Sequence, residues 1–217
     1  MKLTNTIYIL TLMLLIGCSS NVIDEDDLIE KASLKYLNNN DEPYTGAISS
    51  KFENGKNKII GQYKDGKRVG SWTFFYNSGS KKEEGNYLDG NMEGEWISYS
   101  KDGIIVSKGE YVSSRKNGLW KYWYNDGKKE EEVQFVDDKR SGKSMTWFSD
   151  GKQKIESNYI AGKLDGEFLE WDQDGKKISE GYYKNTKKWS GFFGDDYYLE
   201  GQRGSLVRNF YKNGQKK

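Results

Sequence analysis

The sequence contains no histidine, one proline and one cysteine among its 217 residues. Without histidine, the chain lacks the commonest general base and the commonest metal ligand. The cysteine, Cys18, has no second thiol with which to form a disulfide, so a folded domain would depend on packing alone. Neither a Gly-x-Ser-x-Gly motif nor a Walker-type loop occurs. We therefore predict a protein that is not an enzyme and that needs no cofactor or metal ion.

An excess of charge of one sign is missing as well. The 34 lysine and arginine residues nearly balance 33 aspartate and glutamate residues, which leaves a formal net charge of +1. Binding to nucleic acid requires a basic excess, and electrostatic docking on anionic lipid requires a basic cluster. The composition therefore predicts no nucleic-acid partner and argues against strong docking on lipid headgroups.

Residues 7–16, at the amino terminus, form a nearly unbroken apolar run. The run is about half of the ~20 residues that span a bilayer, and it fits the apolar region of a secretory signal. Residues 15–18, Leu-Ile-Gly-Cys, resemble a bacterial lipobox, which implies cleavage before Cys18 and acylation of its thiol and amino group. Two or more acyl chains give stable anchoring. We predict a signal peptide over 1–17 and lipidation of Cys18, with an ordinary signal sequence or an uncleaved anchor as alternatives.

Residues 18–33 precede the repeats, and within them 21–27 are polar and acidic, with four consecutive acidic residues at 24–27. This composition predicts a solvated tether between the lipid and the rest of the chain. A sorting tag is the alternative, since in some bacterial groups acidic residues after the lipidated cysteine accompany export to the cell surface. The expected location is the cell envelope, on the outer membrane if the source is Gram-negative, with surface exposure as a further alternative.

From residue 34 onward the chain repeats itself every 24 residues, and we number each unit from position 0 at Gly61. Position 0 holds Gly61, Gly85, Gly109, Val133, Ser157 and Gly181, and position 2 is always aromatic, with Tyr63, Tyr87, Tyr111, Phe135, Tyr159 and Tyr183. A fixed period of 20–50 residues predicts a repeat architecture in which each unit is stabilised by its neighbours. The repeat domain covers 34–217, with a degenerate first repeat at 37–60, regular repeats over 61–180, a truncated unit at 181–195 and a last unit at 196–217.

Two turn signals in each unit predict the fold. One is the Asp-Gly pair at positions 17 and 18, such as Asp102 and Gly103, where glycine supplies the positive φ of a hairpin turn. The other extends over 63–70 in the first regular unit. Aromatic and β-branched residues between the turns are typical of strands. We predict an all-β fold, an elongated antiparallel meander of β-hairpins in a single twisted sheet of about 13–15 strands, each about 5–6 residues long.

Two aromatic rows follow the same period and are the candidate binding residues. Position 11 holds Trp72, Trp96, Trp120, Ser144 and Phe168, and position 14 holds Phe75, Tyr99, Trp123, Trp147 and Trp171. Residues three apart on a regular strand lie on opposite faces, so either both faces carry a row or a bulge brings the rows together. The rows are interpreted either as a core of stacked rings or as a groove that binds a peptide, a glycan or a quaternary ammonium group.

The repeat unit resembles the MORN-repeat variant family of bacteria. The match is close over 85–96, with Gly85, Tyr87, Gly90, Gly94 and Trp96, and over 118–128. The resemblance implies an elongated sheet of hairpins that serves as a scaffold or binding surface. Many bacterial members are labelled antitoxins or lipoproteins of unknown role. Val133 and Asp138 stand where the family pattern has glycine, which predicts an irregularity in that unit.

The function expected from these features is a lipid-anchored, non-enzymatic repeat scaffold that binds a protein partner at the cell envelope. One alternative is a cell-wall or glycan-binding module, since choline- and glucan-binding repeats are also hairpins rich in glycine, tryptophan and tyrosine. Their period is nearer 20 residues, which weighs against them. A second alternative is an antitoxin or immunity protein directed at a toxin that acts in the envelope.

Overall fold

The structure is a computed structural model that describes residues 22–194 and 196–203. The predicted signal peptide, Cys18 and most of the last repeat lie outside the described residues. Within the described part of the chain, no helix has the length and apolar character that a membrane span requires.

The described residues fold into seventeen β-strands and one short 3-10 helix, Glu25–Asp27. The strands are β1 (Leu28–Lys31), β2 (Leu34–Leu37), β3 (Gly46–Lys51), β4 (Asn57–Lys64), β5 (Lys67–Phe75), β6 (Lys81–Leu88), β7 (Asn91–Tyr99), β8 (Ile105–Val112), β9 (Arg115–Trp123), β10 (Lys129–Val136), β11 (Lys139–Trp147), β12 (Gln153–Ile160), β13 (Lys163–Trp171), β14 (Lys177–Lys184), β15 (Lys187–Phe193), β16 (Asp196–Leu199) and β17 (Gln202–Arg203).

Strands β3 to β17 form one antiparallel sheet of 15 strands in sequential order. The prediction of an all-β meander of hairpins is therefore confirmed. At about 4.8 Å per strand, this sheet is about 65 Å wide. Strands β1 and β2 pair separately as a small second sheet, which the sequence analysis did not predict. The strands from β4 to β14 have 8 or 9 residues, which is longer than the predicted 5–6.

The tight turns explain the longer strands. Asp65 and Gly66 both have positive φ, 51° and 77°, which defines a two-residue type I′ hairpin turn. The turn predicted over 63–70 is therefore confined to two residues. Gly70, at φ 65°, lies inside β5, where residues 70–72 bulge opposite Gly61. Because this bulge adds two residues to β5, the side chains of that strand keep their alternation between faces.

The other turn signal forms the hairpin loop that the sequence predicts. Gly79 has φ 89°, and its N–H donates to the carbonyl of Tyr76 at 2.8 Å. The N–H of Tyr76 in turn donates to the carbonyl of Ser80 at 2.9 Å. A short loop with glycine in the left-handed region connects two strands without strain.

The segment before the repeats is folded, so the prediction of a solvated tether is wrong for residues 22–33. Ile23 forms a parallel bridge with Ile48: its N–H donates to Ala47 at 3.2 Å, and its carbonyl accepts from Ser49 at 2.9 Å. Leu28 is buried against this end of the sheet. The apolar residues among the acidic ones cover the free edge of β3, which would otherwise present unpaired backbone groups.

Candidate partner-binding surface

Cross-strand pairing assigns the two aromatic rows to opposite faces. Trp72 lies opposite Gly85, and Phe75 lies three residues further along β5. The pairing register shifts between Phe74 and Phe75, but the extra residue is Lys82 on β6, so β5 itself keeps its alternation between faces. We call the face of Trp72 the first face and that of Phe75 the second face. Both faces therefore carry an aromatic row, which decides between the two interpretations of the sequence.

The tryptophans of position 11 form the core of the first face. Their side chains are 0 %, 4 % and 3 % exposed at Trp72, Trp96 and Trp120. Each indole meets the aromatic ring of position 2 edge to face, and the centroid distances are 5.2 Å for Tyr63 and Trp72, 5.2 Å for Tyr87 and Trp96, and 5.1 Å for Tyr111 and Trp120. Such pairs add about 0.5–1.5 kcal/mol beyond the area they bury. These three candidates are structural residues and are not accessible to a partner.

The glycine of position 0 is required because an indole lies on it. A Cβ at Gly85 would approach Trp96 to 2.3 Å, and one at Gly109 would approach Trp120 to the same distance. The indole N–H of Trp96 donates to the carbonyl of Asn86 at 3.2 Å, and that of Trp120 donates to Glu110 at 3.1 Å. The ring and its polar group are thus both accommodated within one layer.

The fourth regular repeat, 133–156, which we call the fourth repeat, exchanges large and small residues at the same place. Val133 replaces the glycine and Ser144 replaces the tryptophan, and the two face each other as cross-strand partners that are 0 % and 2 % exposed. Ser144 Oγ donates to Glu131 at 3.2 Å, and Glu131 also forms an ion pair with Arg140. The irregularity expected at Val133 is therefore compensated, because the larger residue at position 0 fills the space that tryptophan occupies elsewhere.

Cations at position 7 cover the first face, a feature that the sequence analysis missed. The Arg68 guanidinium lies 4.5 Å from the centroid of Trp72, and Lys116 Nζ lies 4.2 Å from that of Trp120. Burial lowers the pKa of Lys116. Burial also raises the pKa of Tyr63 to about 12, with Glu25 adding to the effect. Position 7 is basic in four of the six units that start at 61, 85, 109, 133, 157 and 181, with Arg68, Lys116, Arg140 and Lys188, and this recurrence is the signal that could have revealed the cover.

The row of position 14 lies on the second face and is half-buried at every member: Phe75, Tyr99, Trp123, Trp147 and Trp171. None of the ring–ring contacts within the described residues involves this row. The Tyr99 hydroxyl donates to Glu84, and burial together with this carboxylate raises the pKa of Tyr99 to about 12. Hydrogen bonds from Lys81 and Tyr99 lower the pKa of Glu84.

Ion pairs flank this row in three repeats. The Nζ–Oε distances are 2.6 Å for Lys81 and Glu84, 2.7 Å for Lys129 and Glu132, and 2.9 Å for Lys177 and Glu180. Residues three apart share a face here because the pairing shifts by one residue, so that Lys82 is bulged. Each lysine is the cross-strand partner of a row aromatic.

The geometry of the second-face row is that of a regular binding surface. Successive members lie two strands apart, which is about 9.6 Å. Phe75, at one end, lines an open recess of about 440 Å³ together with Gly55, Lys56, Asn57, Ser78 and Gly79. Phe168 belongs instead to the first face, half-buried against Tyr183 at 5.2 Å. Cys18 lies outside the described residues, and within those residues no three His, Cys, Asp or Glu side chains could hold a metal ion.

The repeat frame now has a structural meaning: a regular unit is one hairpin whose position 11 ring packs on position 0, and the unit that starts at Val133 exchanges the two. The model of the family described as "MORN repeat variant" matches residues 68–89, 92–113, 116–137 and 164–185. The chain belongs to the MORN-repeat family. Each matched segment runs from position 7 to position 4 of the next unit and ends in the tight turn. The corresponding segment with Ser144 in place of tryptophan is not among those matched. No curated protein matches this MORN-repeat chain in sequence.

Proposed function

We propose that the protein is a lipid-anchored, non-enzymatic repeat scaffold that binds another protein of the cell envelope through the second-face aromatic row. The observation that carries the proposal is the half-buried row of position 14, which has no ring partner of its own in the described chain. Aromatic side chains are enriched at protein interfaces because they bury a large area at low entropic cost.

The family supports the general role. MORN repeats suggest a scaffold or binding module, and the elongated sheet offers a long surface instead of an enclosed cleft. Ion pairs beside the rings would supply a polar rim around the apolar contacts. A partner that covers several repeats would meet the same combination of ring and charge about every 9.6 Å.

The anchor is the second part of the proposal, and it rests on the lipobox-like residues 15–18. Ile23 is already bonded to β3, so four residues would connect Cys18 to the sheet. Five Cα–Cα steps separate Cys18 from Ile23, and at about 3.5 Å per step the connection spans at most about 18 Å. An acylated Cys18 would therefore hold the first hairpin close to the headgroups and leave the later repeats to reach a partner.

In-cell photocrosslinking tests the proposal. A photoreactive amino acid would replace Trp123 or Trp147 on the second face, and Ser98, which lies on the first face of β7, would serve as the matched control. We expect one dominant protein adduct from both second-face positions and none from Ser98. Adducts on glycan fragments would favour the cell-wall alternative, and equal labelling from both faces would contradict the proposal.

The anchor is tested separately, by metabolic labelling with an alkyne-tagged fatty acid. We expect the label on the full chain and its loss in the Cys18→Ala variant, with the protein then released from membranes. A Cys18→Ala protein that stays in the membrane fraction with unchanged processing would contradict the lipid anchor without affecting the partner-binding surface.

A further inference from the structure

A row of exposed aliphatic residues runs across the strands on the second face, with each residue directly before a tight turn. Position 3 holds Leu88, Val112, Val136 and Ile160, which are 59 %, 46 %, 55 % and 62 % exposed. Position 3 is one residue after the first-face ring of position 2, so these side chains point to the second face. A periodic apolar row on a surface marks an interaction site more often than scattered apolar residues do.

Lysines stand beside this row at the same edge. Val136 is the cross-strand partner of Lys139, and Ile160 is that of Lys163. At the two ends of the row, lysine also takes position 3, as Lys64 opposite Lys67 and Lys184 opposite Lys187. We call these position 3 and position 6 residues the aliphatic–lysine edge.

The lysines of this edge lack acidic partners, in contrast to those beside the aromatic row. Within residues 22–194 and 196–203, no ion pair involves Lys64, Lys67, Lys139, Lys163 or Lys187. Arg115 is the exception, with Asp137 at 3.5 Å. The edge therefore combines exposed apolar groups with lysines that form no ion pair within the described chain.

The carboxylates near the edge are held by backbone groups of the neighbouring turn. Glu93 accepts from the N–H of Ser113 at 2.9 Å, and Asp138 accepts from that of Lys116 at 2.8 Å. Backbone hydrogen bonds also join successive turns, as from Gly162 to Arg140 at 2.8 Å. These bonds fix the turns as a regular, rigid edge.

We propose that the aliphatic–lysine edge docks an acidic amphipathic α-helix of a partner protein. Successive aliphatic residues lie two strands apart, at about 9.6 Å. Seven residues of an α-helix advance about 10.5 Å and return to the same face of the helix. A helix with an apolar residue at every seventh position and acidic residues beside it therefore matches both the spacing and the charge of the edge.

A planar anionic membrane fits the edge less well. The carboxylates of Glu93, Asp138 and Asp165 lie along the same turns, and a continuous negative surface would face them as well as the lysines. A helix can place its acidic residues against the lysines alone. The inference does not depend on the aromatic row, since either surface can bind when the other does not.

The test uses the full chain and a synthetic helical peptide of about four heptads, with leucine at every seventh position and glutamate on both sides of it. Binding is measured by fluorescence anisotropy at low and high salt. We expect saturable binding that weakens with salt and is lost when the glutamates are replaced by glutamine.

Charge reversal locates the site. Lys139→Glu with Lys163→Glu is expected to weaken peptide binding at least tenfold. Lys101→Glu with Lys176→Glu is the matched control, because these exposed lysines lie at the opposite turns and also form no ion pair with any described residue. The control should bind within about twofold of the parent protein. Val136→Asp with Ile160→Asp should remove binding as well, while the thermal melting curve stays close to that of the parent.

Three results would overturn the inference. The first is an equal loss of peptide binding in the control variant, and the second is no binding of the peptide to the parent protein. The third is binding of the parent protein to vesicles with about 30 mol% phosphatidylglycerol that requires Lys139 and Lys163, without any binding of the peptide. The last result would assign the edge to a membrane surface. Crosslinking from Trp123 is unaffected by any of these variants, so failure here is separable from failure of the proposed partner-binding row.

Discussion

Trp120 and Trp123 lie three residues apart on β9, and their surroundings differ. Trp120 is 3 % exposed, lies edge to face with Tyr111, and is covered by Lys116. Trp123 is half-buried on the other face, where no ring of the described chain contacts it. A sheet with one layer has no second layer to cover its apolar side, so the first face covers itself with interlocked rings and cations. On the second face Lys129 Nζ lies 5.3 Å from the ring centroid of Trp147, but within the described residues no second ring packs on any member of the row. Its aromatic residues therefore remain available for contact.

The largest expected effect is the difference in stability between alanine variants of these two tryptophans. Trp120→Ala removes a buried ring and leaves a cavity, so we expect a loss of about 3–5 kcal/mol in the free energy of unfolding. Trp123→Ala removes a half-buried ring, and we expect a loss of about 1 kcal/mol. Urea denaturation followed by circular dichroism measures both. Equal losses would mean that the second face is also part of the core.

The next largest expected effect is the energetic coupling between Gly109 and the Trp120 ring. Gly109→Val should lose about 2–3 kcal/mol, because its Cβ would lie 2.3 Å from the Trp120 indole. The double variant Gly109→Val/Trp120→Ser copies Val133 and Ser144 of the fourth repeat. We expect it to be more stable than the sum of the single changes predicts, by about 1–3 kcal/mol.

A mismatched double variant is the control for this coupling. Gly85→Val with Trp120→Ser changes the same residue types, but the Gly85 position is covered by Trp96 and not by Trp120. Its stability loss should equal the sum of the single losses. Coupling of similar size in both double variants would show that the exchange in the fourth repeat is not a local compensation.

The smallest expected effect concerns tyrosine ionisation on the two faces. Burial raises the pKa of Tyr63 on the first face and of Tyr99 on the second face to about 12. Because these values lie above that of an unfolded tyrosine, about 10, the stability they contribute is present below pH 10 and lost as the pH rises towards 12. Glu84→Gln should lower the pKa of Tyr99 and leave that of Tyr63 unchanged, as read from ultraviolet absorbance. A joint shift of both would contradict the assignment of Glu84 to the second face alone.

Much of the fold could be predicted from the sequence because the repeat is local. The 24-residue period and the Asp-Gly pairs indicate consecutive hairpins, and hairpins in sequence order make a meander. The strand lengths were underestimated because Gly70 looks like part of a turn when it is a bulge within β5. A glycine with positive φ serves either role, and only the pairing of β4 with β5 distinguishes them.

The folded segment before the repeats was not foreseen for a related reason. Residues 24–27 are all acidic, and such composition predicts a solvated chain. In the structure the Glu25 carboxylate accepts hydrogen bonds from the Tyr63 hydroxyl at 2.8 Å and from the Arg68 guanidinium at 3.4 Å. These partners lie about 40 residues away in sequence, so no local pattern relates them to Glu25.

The sequence by itself determined the repeat, its turns, the all-β class and the candidate lipid anchor at Cys18, since each depends on residues close together in the chain. Only the tertiary structure decided which aromatic row is buried. Trp120 and Trp123 are equivalent in residue type and strand, and they differ because Gly109 leaves room for a ring on the first face and Lys116 covers it. Burial in a sheet with one layer depends on what neighbouring strands place over each ring, and the pairing of those strands exists only in the folded chain.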